Sequence, residues 1–124
     1  MESLRVVIVE DERIVALEME VCLRRMGVTV CGSVSSGEAA VEVCRDHRPD
    51  VVLMDIMIEG SMNGIEAAET IRGLFDTAVV FCSAYTGELR HQAEATNPLG
   101  FFEKPLDYRR LSDVLVNLRS MKKC

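Results

Sequence analysis

The sequence predicts an α/β fold, a doubly wound parallel sheet of five strands with five helices covering its two faces. Short apolar runs, each the length of a strand, alternate along the chain with segments that repeat apolar residues at helical spacing. Apolar residues make up 48% of the chain and aromatic residues only 5%, which favours an aliphatic core between a sheet and helices. Strands that alternate with helices predict right-handed crossovers and therefore a parallel sheet.

The first strand and helix set this pattern. Residues 4–9 are an almost purely apolar run, which is typical of a strand buried on both faces. A helix is predicted over residues 12–26, with Asp11 as its cap and Gly27 ending it. The apolar residues expected to face the core recur at helical spacing: Ile14, Leu17 and Val21.

The next elements complete the first half of the chain. Residues 28–33 are predicted to form the second strand. Ser35 and Glu38 have the spacing of a capping box and are expected to begin the second helix. Pro49 and Asp50 interrupt the chain before the third strand, residues 51–54.

The second half continues the alternation and ends in a helix. A long turn over residues 56–64 is followed by a helix over 65–74 and a strand over 78–82. A polar helix over 86–95 and a strand over 100–103 come next, and a turn at Lys104-Pro105 follows them. Asp107 is expected to cap the final helix, which carries Leu111, Leu115 and Leu118. No linker, repeat or low-complexity segment interrupts the chain, so residues 1–124 are expected to form one domain.

Charge, hydropathy and cysteine spacing argue against several classes of function. The formal net charge of −6 argues against binding to a nucleic-acid backbone, which needs clustered basic residues. No apolar stretch has the length of a membrane span, and no secretory signal is recognisable, so a cytoplasmic protein without membrane contact is expected. The five cysteines lack CxxC spacing and are expected to be reduced thiols in such a compartment: Cys22, Cys31, Cys44, Cys82 and Cys124.

Polar residues follow four of the predicted strands directly. Glu10 and Asp11 follow the first strand, Asp55 the third, Ser83 the fourth and Lys104 the fifth. Alone, the acidic residues and Ser83 are common turn formers or helix caps, and a lysine before proline is usually solvated. In an open parallel sheet, however, the carboxyl ends of the strands meet at one edge, where ligands bind. The sequence therefore predicts one cluster of carboxylates, a hydroxyl and an ammonium.

The chemistry of such a cluster suits phosphoryl transfer. Carboxylates about 4 Å apart repel by roughly 4 kcal/mol at an effective dielectric constant near 20, so the group should raise a carboxylate pKa or recruit a cation. Oxygen ligands of this kind suit Mg²⁺. A nucleophilic carboxylate, a hard cation and a lysine together can position and neutralise a phosphoryl group.

These residues lie in motifs that resemble a bacterial response-regulator receiver domain over the whole chain. The matching segments are Val-Ile-Val-Glu-Asp-Glu (7–12), Val-Val-Leu-Met-Asp-Ile (51–56), Met-Asn-Gly-Ile-Glu (62–66), Cys-Ser-Ala (82–84) and Phe-Phe-Glu-Lys-Pro (101–105). Each segment is weak alone, but their order and spacing are specific. The resemblance implies the strand order 2-1-3-4-5 of a flavodoxin-like, CheY-like sheet.

The resemblance also implies a role for each site residue. Asp55 would be the phosphoryl acceptor, and Lys104 and Ser83 would contact the phosphoryl group. The Mg²⁺ ligands, with Mn²⁺ able to substitute, would come from four residues: Glu10 through water, Asp11, Asp55 and the backbone carbonyl of Met57. The Lys104-Pro105 peptide would be cis, and Ala84 would be a small residue beside the phosphoryl group.

The implied switch acts at a distance from Asp55. Phosphorylation would draw Ser83 inward and allow Phe101 to rotate, which would change the face formed by the fourth helix, fifth strand and fifth helix. The implied partners are a sensor histidine kinase or phosphotransfer protein, a second copy of the chain through that face, and an output domain if the chain is the N-terminal part of a longer regulator. Uncharged side chains at Met57 and Tyr85 predict a long-lived phosphoryl group.

Three alternatives remain at this point. A pseudo-receiver would keep the fold as a dimerisation or docking module without phosphorylation. A nucleotide-binding or flavodoxin-like enzyme would need a phosphate loop after the first strand, where Glu10, Asp11 and Glu12 stand instead. A haloacid-dehalogenase-like phosphatase would need a second Asp at the position of Met57. The turn after Asp55 also departs from the common pattern, with Glu59 in place of Pro and one extra residue before Gly64.

Overall fold

Among the residues that the structure describes, five parallel strands form one sheet in the strand order 2-1-3-4-5 that the resemblance implies. The computed structural model describes residues 3–84 and 87–122. The strands and helices are β1 (Arg5–Val9), α1 (Arg13–Arg25), β2 (Thr29–Val34), α2 (Gly37–His47), β3 (Val51–Met54), α3 (Gly64–Leu74), β4 (Ala78–Ser83), α4 (Glu88–Ala95), β5 (Gly100–Glu103) and α5 (Tyr108–Lys122). The predicted final helix is present as α5, and its residues Leu111, Leu115 and Leu118 are buried.

Two apolar clusters, one on each face of the sheet, form the core. Successive side chains of β1 point to opposite faces of the sheet, because Val6 and Ile8 belong to one cluster and Val7 and Val9 to the other. α1 and α5 cover the first face, and α2, α3 and α4 the second. The central strands are buried on both faces, which explains their continuous apolar runs.

The predicted buried face of α1 is wrong. Ile14, Leu17 and Val21 are 82%, 54% and 49% exposed, and the helix instead packs against the sheet through Ala16, Met19 and Leu23. Both sets have the same helical spacing, so the pattern alone does not separate them. We call the three exposed residues the α1 apolar stripe.

Two predicted caps are also wrong. Asp11 does not cap α1, because the residue before the helix is Glu12, whose side chain makes no capping hydrogen bond. The predicted capping box of Ser35 and Glu38 does not form either. Ser36 caps α2 by accepting a hydrogen bond from the Ala39 amide.

A capping box is present at the next helix instead. Asn63 and Glu66 form it at the start of α3, where each side chain accepts a hydrogen bond from the backbone of the other. Asp107 is a cap as predicted, because its Oδ1 accepts hydrogen bonds from the amides of Arg109 and Arg110. The long turn after β3 therefore ends at α3, whose first turn is held by this capping box.

Two further predictions of local structure, the cis peptide and the free thiols, are confirmed within the described residues, while the bounds of several elements differ from the predicted ones by one residue. The Lys104-Pro105 peptide is cis. Four cysteines are free thiols, with Cys44 and Cys82 buried and Cys22 and Cys31 half-buried; Cys124 lies outside the described residues. Within the described parts of the chain, none of the helices combines the length and the apolar character needed to cross a bilayer.

Candidate phosphoryl-acceptor site

Strand register brings the predicted site residues to one edge of the sheet. Val9 pairs with Met54, so Glu10 and Asp55 leave adjacent strands side by side. Backbone hydrogen bonds fix both residues, since the Asp55 amide donates to the Val9 carbonyl (3.0 Å) and the Glu10 amide to the Val34 carbonyl (2.9 Å). The central position of β1 and β3 in the sheet therefore determines where the two carboxylates lie.

The other side of the cluster comes from β4 and β5. Ser83 pairs with Glu103 in the register of these strands, and the Lys104 amide donates to the Ser83 carbonyl (3.1 Å). Ser83 is buried, whereas the small residue Ala84 that follows it is exposed. Lys104 thus leaves β5 next to Ser83 and extends its ammonium toward the carboxylates.

Lys104 joins the two buried carboxylates. Its Nζ donates to Asp55 Oδ2 (2.8 Å) and also forms an ion pair with Glu10 Oε1. Asp55 and Glu10 are only 7% and 4% exposed. The remaining oxygens also have partners, because Asp55 Oδ1 accepts from the Met57 amide (3.3 Å) and Glu10 Oε2 from the Glu12 amide (3.1 Å).

Burial and pairing shift the titration of this cluster. Burial raises the pKa of Glu10, and the Lys104 hydrogen bond offsets that effect only in part. Burial alone would lower the pKa of Lys104, but its hydrogen bonds to Asp55 and Glu10 outweigh burial and raise the pKa instead. Burial also raises the pKa of Cys82 to about 12, so this neighbouring thiol stays protonated at neutral pH.

The carboxylates of Glu10, Asp11 and Asp55 fit a hard divalent cation. One oxygen from each lies within 4.8 Å of the others, and all three are the hard oxygen donors that Mg²⁺ prefers. Asp11 is exposed at the mouth of the site. Glu10 and Asp11 also line a cleft of about 430 Å³ together with Leu17, Glu20 and Glu59, so solvent and ligands have access to the acidic edge.

The switch residue predicted on β5 lies apart from this cluster. Phe101 is half-buried, and its ring is tilted against Phe81 at a centroid separation of 6.1 Å. The Arg90 guanidinium of α4 lies 4.6 Å from the Phe101 ring centroid and donates to Glu103 Oε1 (3.0 Å). The residues predicted from the sequence do not include Arg90, because its contacts depend on the packing of α4 over β5.

The turn that follows Asp55 is attached to the start of α2. The Glu59 amide donates to the Ser35 carbonyl (3.2 Å), and Ser36 and Glu59 form an isolated parallel bridge. Glu38 Oε1 accepts from the Met62 amide (3.2 Å). These contacts explain why the predicted capping box of Ser35 and Glu38 does not form, since both residues face the turn. Met57 is exposed, and Tyr85 lies outside the described residues.

Comparison with known proteins agrees with this geometry. The family model described as the response regulator receiver domain matches residues 6–116. A protein-glutamate methylesterase/protein-glutamine glutaminase from Natronomonas pharaonis is 37% identical over 102 residues, which cover 80% of this chain and 28% of that protein. The transcriptional regulatory protein PdtaR from Mycobacterium tuberculosis is 30% identical over 112 residues, covering 90% of this chain and 53% of that protein.

Solved structures give the same assignment. The signal receiver domain of a modulated diguanylate cyclase from Desulfovibrio desulfuricans G20 superposes with a TM-score of 0.91 at 31% identity, and the match covers 98% of each chain. The receiver domain of NarL from Mycobacterium tuberculosis superposes with a TM-score of 0.86 at 28% identity, covering 94% of this chain and 96% of that one. The chain therefore belongs to the response regulator receiver domain family of two-component signalling.

Proposed function

We propose that residues 1–124 form one receiver domain that accepts a phosphoryl group on Asp55 and passes the signal to a partner surface. The observation that supports this most strongly is the arrangement at Asp55. Its carboxylate is buried beside Glu10, lies near Asp11 and is bound by the Lys104 ammonium. A nucleophile with this combination of acidic and basic neighbours suits phosphoryl transfer.

In the proposed reaction, an Asp55 oxygen attacks the phosphorus atom of a donor. A new P–O bond forms as a mixed anhydride, and the P–N bond of a phosphohistidine breaks, with the imidazole leaving as the neutral base after taking up a proton. Mg²⁺, held by Glu10, Asp11, Asp55 and the Met57 carbonyl, would neutralise phosphoryl oxygens; Mn²⁺ would do the same. Lys104, now bound to Asp55, would exchange this partner for a phosphoryl oxygen.

The signal would leave the site through Ser83 and Phe101. Ser83 is buried at the end of β4, and its backbone carbonyl is bonded to Lys104, so a new acceptor at Asp55 would act on both residues. A movement of Ser83 would change the space available to the half-buried Phe101 ring. The face formed by α4, β5 and α5 would then change, and would bind a second copy of the chain or an output element.

The donor would dock on the α1 apolar stripe. Three exposed apolar side chains lie on the helix that begins beside the site, and Leu17 lines the same cleft as Glu10 and Asp11. Such a surface suits a helix of a sensor histidine kinase or phosphotransfer protein. Ile14→Glu, at a stripe residue that does not line this cleft, should slow phosphotransfer from that protein at least tenfold and leave phosphorylation by acetyl phosphate unchanged, which time-resolved phosphorylation assays with both donors would measure.

The response that phosphorylation controls is proposed to be carried by a part of the system other than the acidic edge at Glu10, Asp11 and Asp55. The chain spans only 28% and 53% of the length of the two relatives described above, one of which is named as a methylesterase and the other as a transcriptional regulator. A further domain or a separate partner would therefore carry the response. A cytoplasmic location, and no direct contact with nucleic acid at a net charge of −6, form part of the same proposal.

The proposal is tested by intact-mass spectrometry after incubation with acetyl phosphate. The wild-type protein should gain the mass of one phosphoryl group only when Mg²⁺ is present. Asp55→Asn should gain none, and Asp113→Asn, the same change at an exposed position on α5, should behave as the wild type. A wild type that gains no phosphoryl group from acetyl phosphate or from a panel of phosphorylated kinases would favour the pseudo-receiver alternative.

A further inference from the structure

The turn between Asp55 and α3 is closed at its ends by backbone contacts. The Gly64 amide donates to the Ile56 carbonyl (2.8 Å). A Cβ atom added at Gly64 would lie 2.0 Å from the Asp55 carbonyl oxygen, so only glycine lets α3 begin this close to the acceptor. This hydrogen bond joins the two ends of the turn and does not by itself hold the residues between them.

The middle of the turn is held by the first turn of α2. Glu38 Oε1 accepts a hydrogen bond from the Met62 amide. Gly60 has a φ of +95°, and a Cβ atom there would lie 2.3 Å from Glu38 Oε2. A Cβ atom at Gly37 would lie 2.7 Å from Met62 Cγ. Two glycines therefore allow the Glu38 carboxylate and the α2 backbone to lie directly against the turn.

Glu38 has no part in capping its own helix through its side chain. Ser36 performs that function. The Glu38 carboxylate instead accepts a hydrogen bond from Met62, which lies 24 residues later in the chain. Met57 lies between the acceptor and the held part of the turn, and its amide donates to Asp55 Oδ1. The conformation of Met57 is therefore fixed from one side by Asp55 and from the other by the contacts of residues 59–62.

We propose that Glu38 is a positioning residue for the acceptor site. Its carboxylate holds the turn in the conformation that places the Met57 backbone beside Asp55. This role rests on the proposed function, because its consequence is a higher affinity for Mg²⁺ at the acidic edge. If Glu38 is removed, ordering of the turn has to accompany metal binding, and the affinity falls.

The hydrogen-bond acceptor, not the charge, is the property that this role requires. Glu38→Gln keeps an acceptor oxygen for the Met62 amide, whereas Glu38→Ala removes it. A carboxylate in the first turn of a helix also interacts favourably with the helix dipole, and both variants lose that effect equally. Glu42→Ala, in the same helix, removes one carboxylate as a matched control.

The experiment is a Mg²⁺ titration followed by the amide NMR signals of Asp55 and Met57, with circular dichroism to confirm folding. Glu38→Ala should raise the dissociation constant about tenfold. Glu38→Gln and Glu42→Ala should stay within about twofold of the wild type. With acetyl phosphate as donor, Glu38→Ala should need more Mg²⁺ for the half-maximal phosphorylation rate but approach the wild-type rate at saturation.

Gly60→Ala provides a second variant. The added methyl group should displace Glu38 and weaken Mg²⁺ binding at least as much as Glu38→Ala does. The double variant should be no weaker than Gly60→Ala alone, because both changes break one contact. Fully additive effects of the two changes would overturn the proposal.

The outcomes separate this role from the proposed function. Mg²⁺ binding by Glu38→Ala that matches the wild type would refute the positioning role and leave the function intact. Equal losses in Glu38→Ala and Glu38→Gln would also refute it, because charge would then be the cause. A wild type whose signals do not respond to Mg²⁺ would refute the proposed function and this role together.

Discussion

Replacement of Lys104 by Met should expose how strongly the acidic edge depends on one ammonium. The side chain is 14% exposed and is paired with Glu10 and Asp55, which are buried. Without it, oxygens of these carboxylates remain within 4.8 Å of each other. Two unit charges at that distance repel by about 3.5 kcal/mol at an effective dielectric constant of 20. We therefore expect Lys104→Met to lower the free energy of unfolding by about 3 kcal/mol at pH 7, similar to other broken buried ion pairs.

The assay is urea denaturation followed by circular dichroism in the presence of EDTA. Arg24→Met is the matched control, because Arg24 pairs with Glu20 at 2.8 Å in an exposed position on α1 and should cost no more than about 0.5 kcal/mol. The difference between the variants should shrink as pH falls and the carboxylates take up protons. Addition of Mg²⁺ should stabilise Lys104→Met more than the wild type.

A small effect would refute this reasoning. If Lys104→Met lost less than about 1 kcal/mol and matched Arg24→Met, the two buried carboxylates would not depend on the ammonium. An effect that did not change between pH 7 and the acidic range would show that the loss came from packing of the aliphatic stem and not from charge.

Three further predictions concern titration, packing and the switch. Because burial raises the folded-state pKa of Glu10 above 4.5, the free energy of unfolding in EDTA should fall as pH rises from 4.5 through that raised pKa, and Glu10→Gln should abolish this part of the pH dependence in thermal unfolding. Gly64→Ala should lower the free energy of unfolding by about 1–3 kcal/mol in urea titrations, because its methyl group would overlap the Asp55 carbonyl. Arg90→Ala should cost about 0.5 kcal/mol and shift the aromatic NMR signals of Phe101, whose ring it leaves uncovered; unchanged signals would contradict the contact.

The parallel sheet and the site cluster follow from the sequence because they depend on local pattern, whereas the strand order came from the resemblance to receiver domains. The bounds of β3 and β5 match the prediction residue for residue, since each strand is a short run delimited by Pro, Gly or charged residues. Once the strands are parallel, their carboxyl ends meet at one edge. The proximity of Glu10, Asp55 and Lys104 is a consequence of that topology.

Helix orientation does not follow from the pattern in the same way. α1 carries two apolar rows of equal spacing, and the bulkier row, which includes Ile14, is the exposed one. The buried row contains Ala16, whose small side chain lets the helix approach the sheet closely. Helical spacing alone therefore does not tell which row faces the core, because both rows have the same spacing.

Capping at α2 fails for a related reason. Ser35 and Glu38 have capping-box spacing, but the Ser35 carbonyl and the Glu38 carboxylate bind the turn after Asp55. These partners come from a segment more than 20 residues later in the chain. Local spacing does not reveal such a competition between a helix cap and a tertiary contact.

Chemical localisation of the phosphoryl group tests the central claim most directly. The wild-type protein, phosphorylated with acetyl phosphate and Mg²⁺, is reduced with borohydride, which converts an acyl phosphate to an alcohol, and is then digested for peptide sequencing by mass spectrometry. We predict homoserine at position 55, only in the sample that contained Mg²⁺. A modification at Asp11 or Ser83, or homoserine formed equally without Mg²⁺, would contradict the assignment of Asp55 as the acceptor.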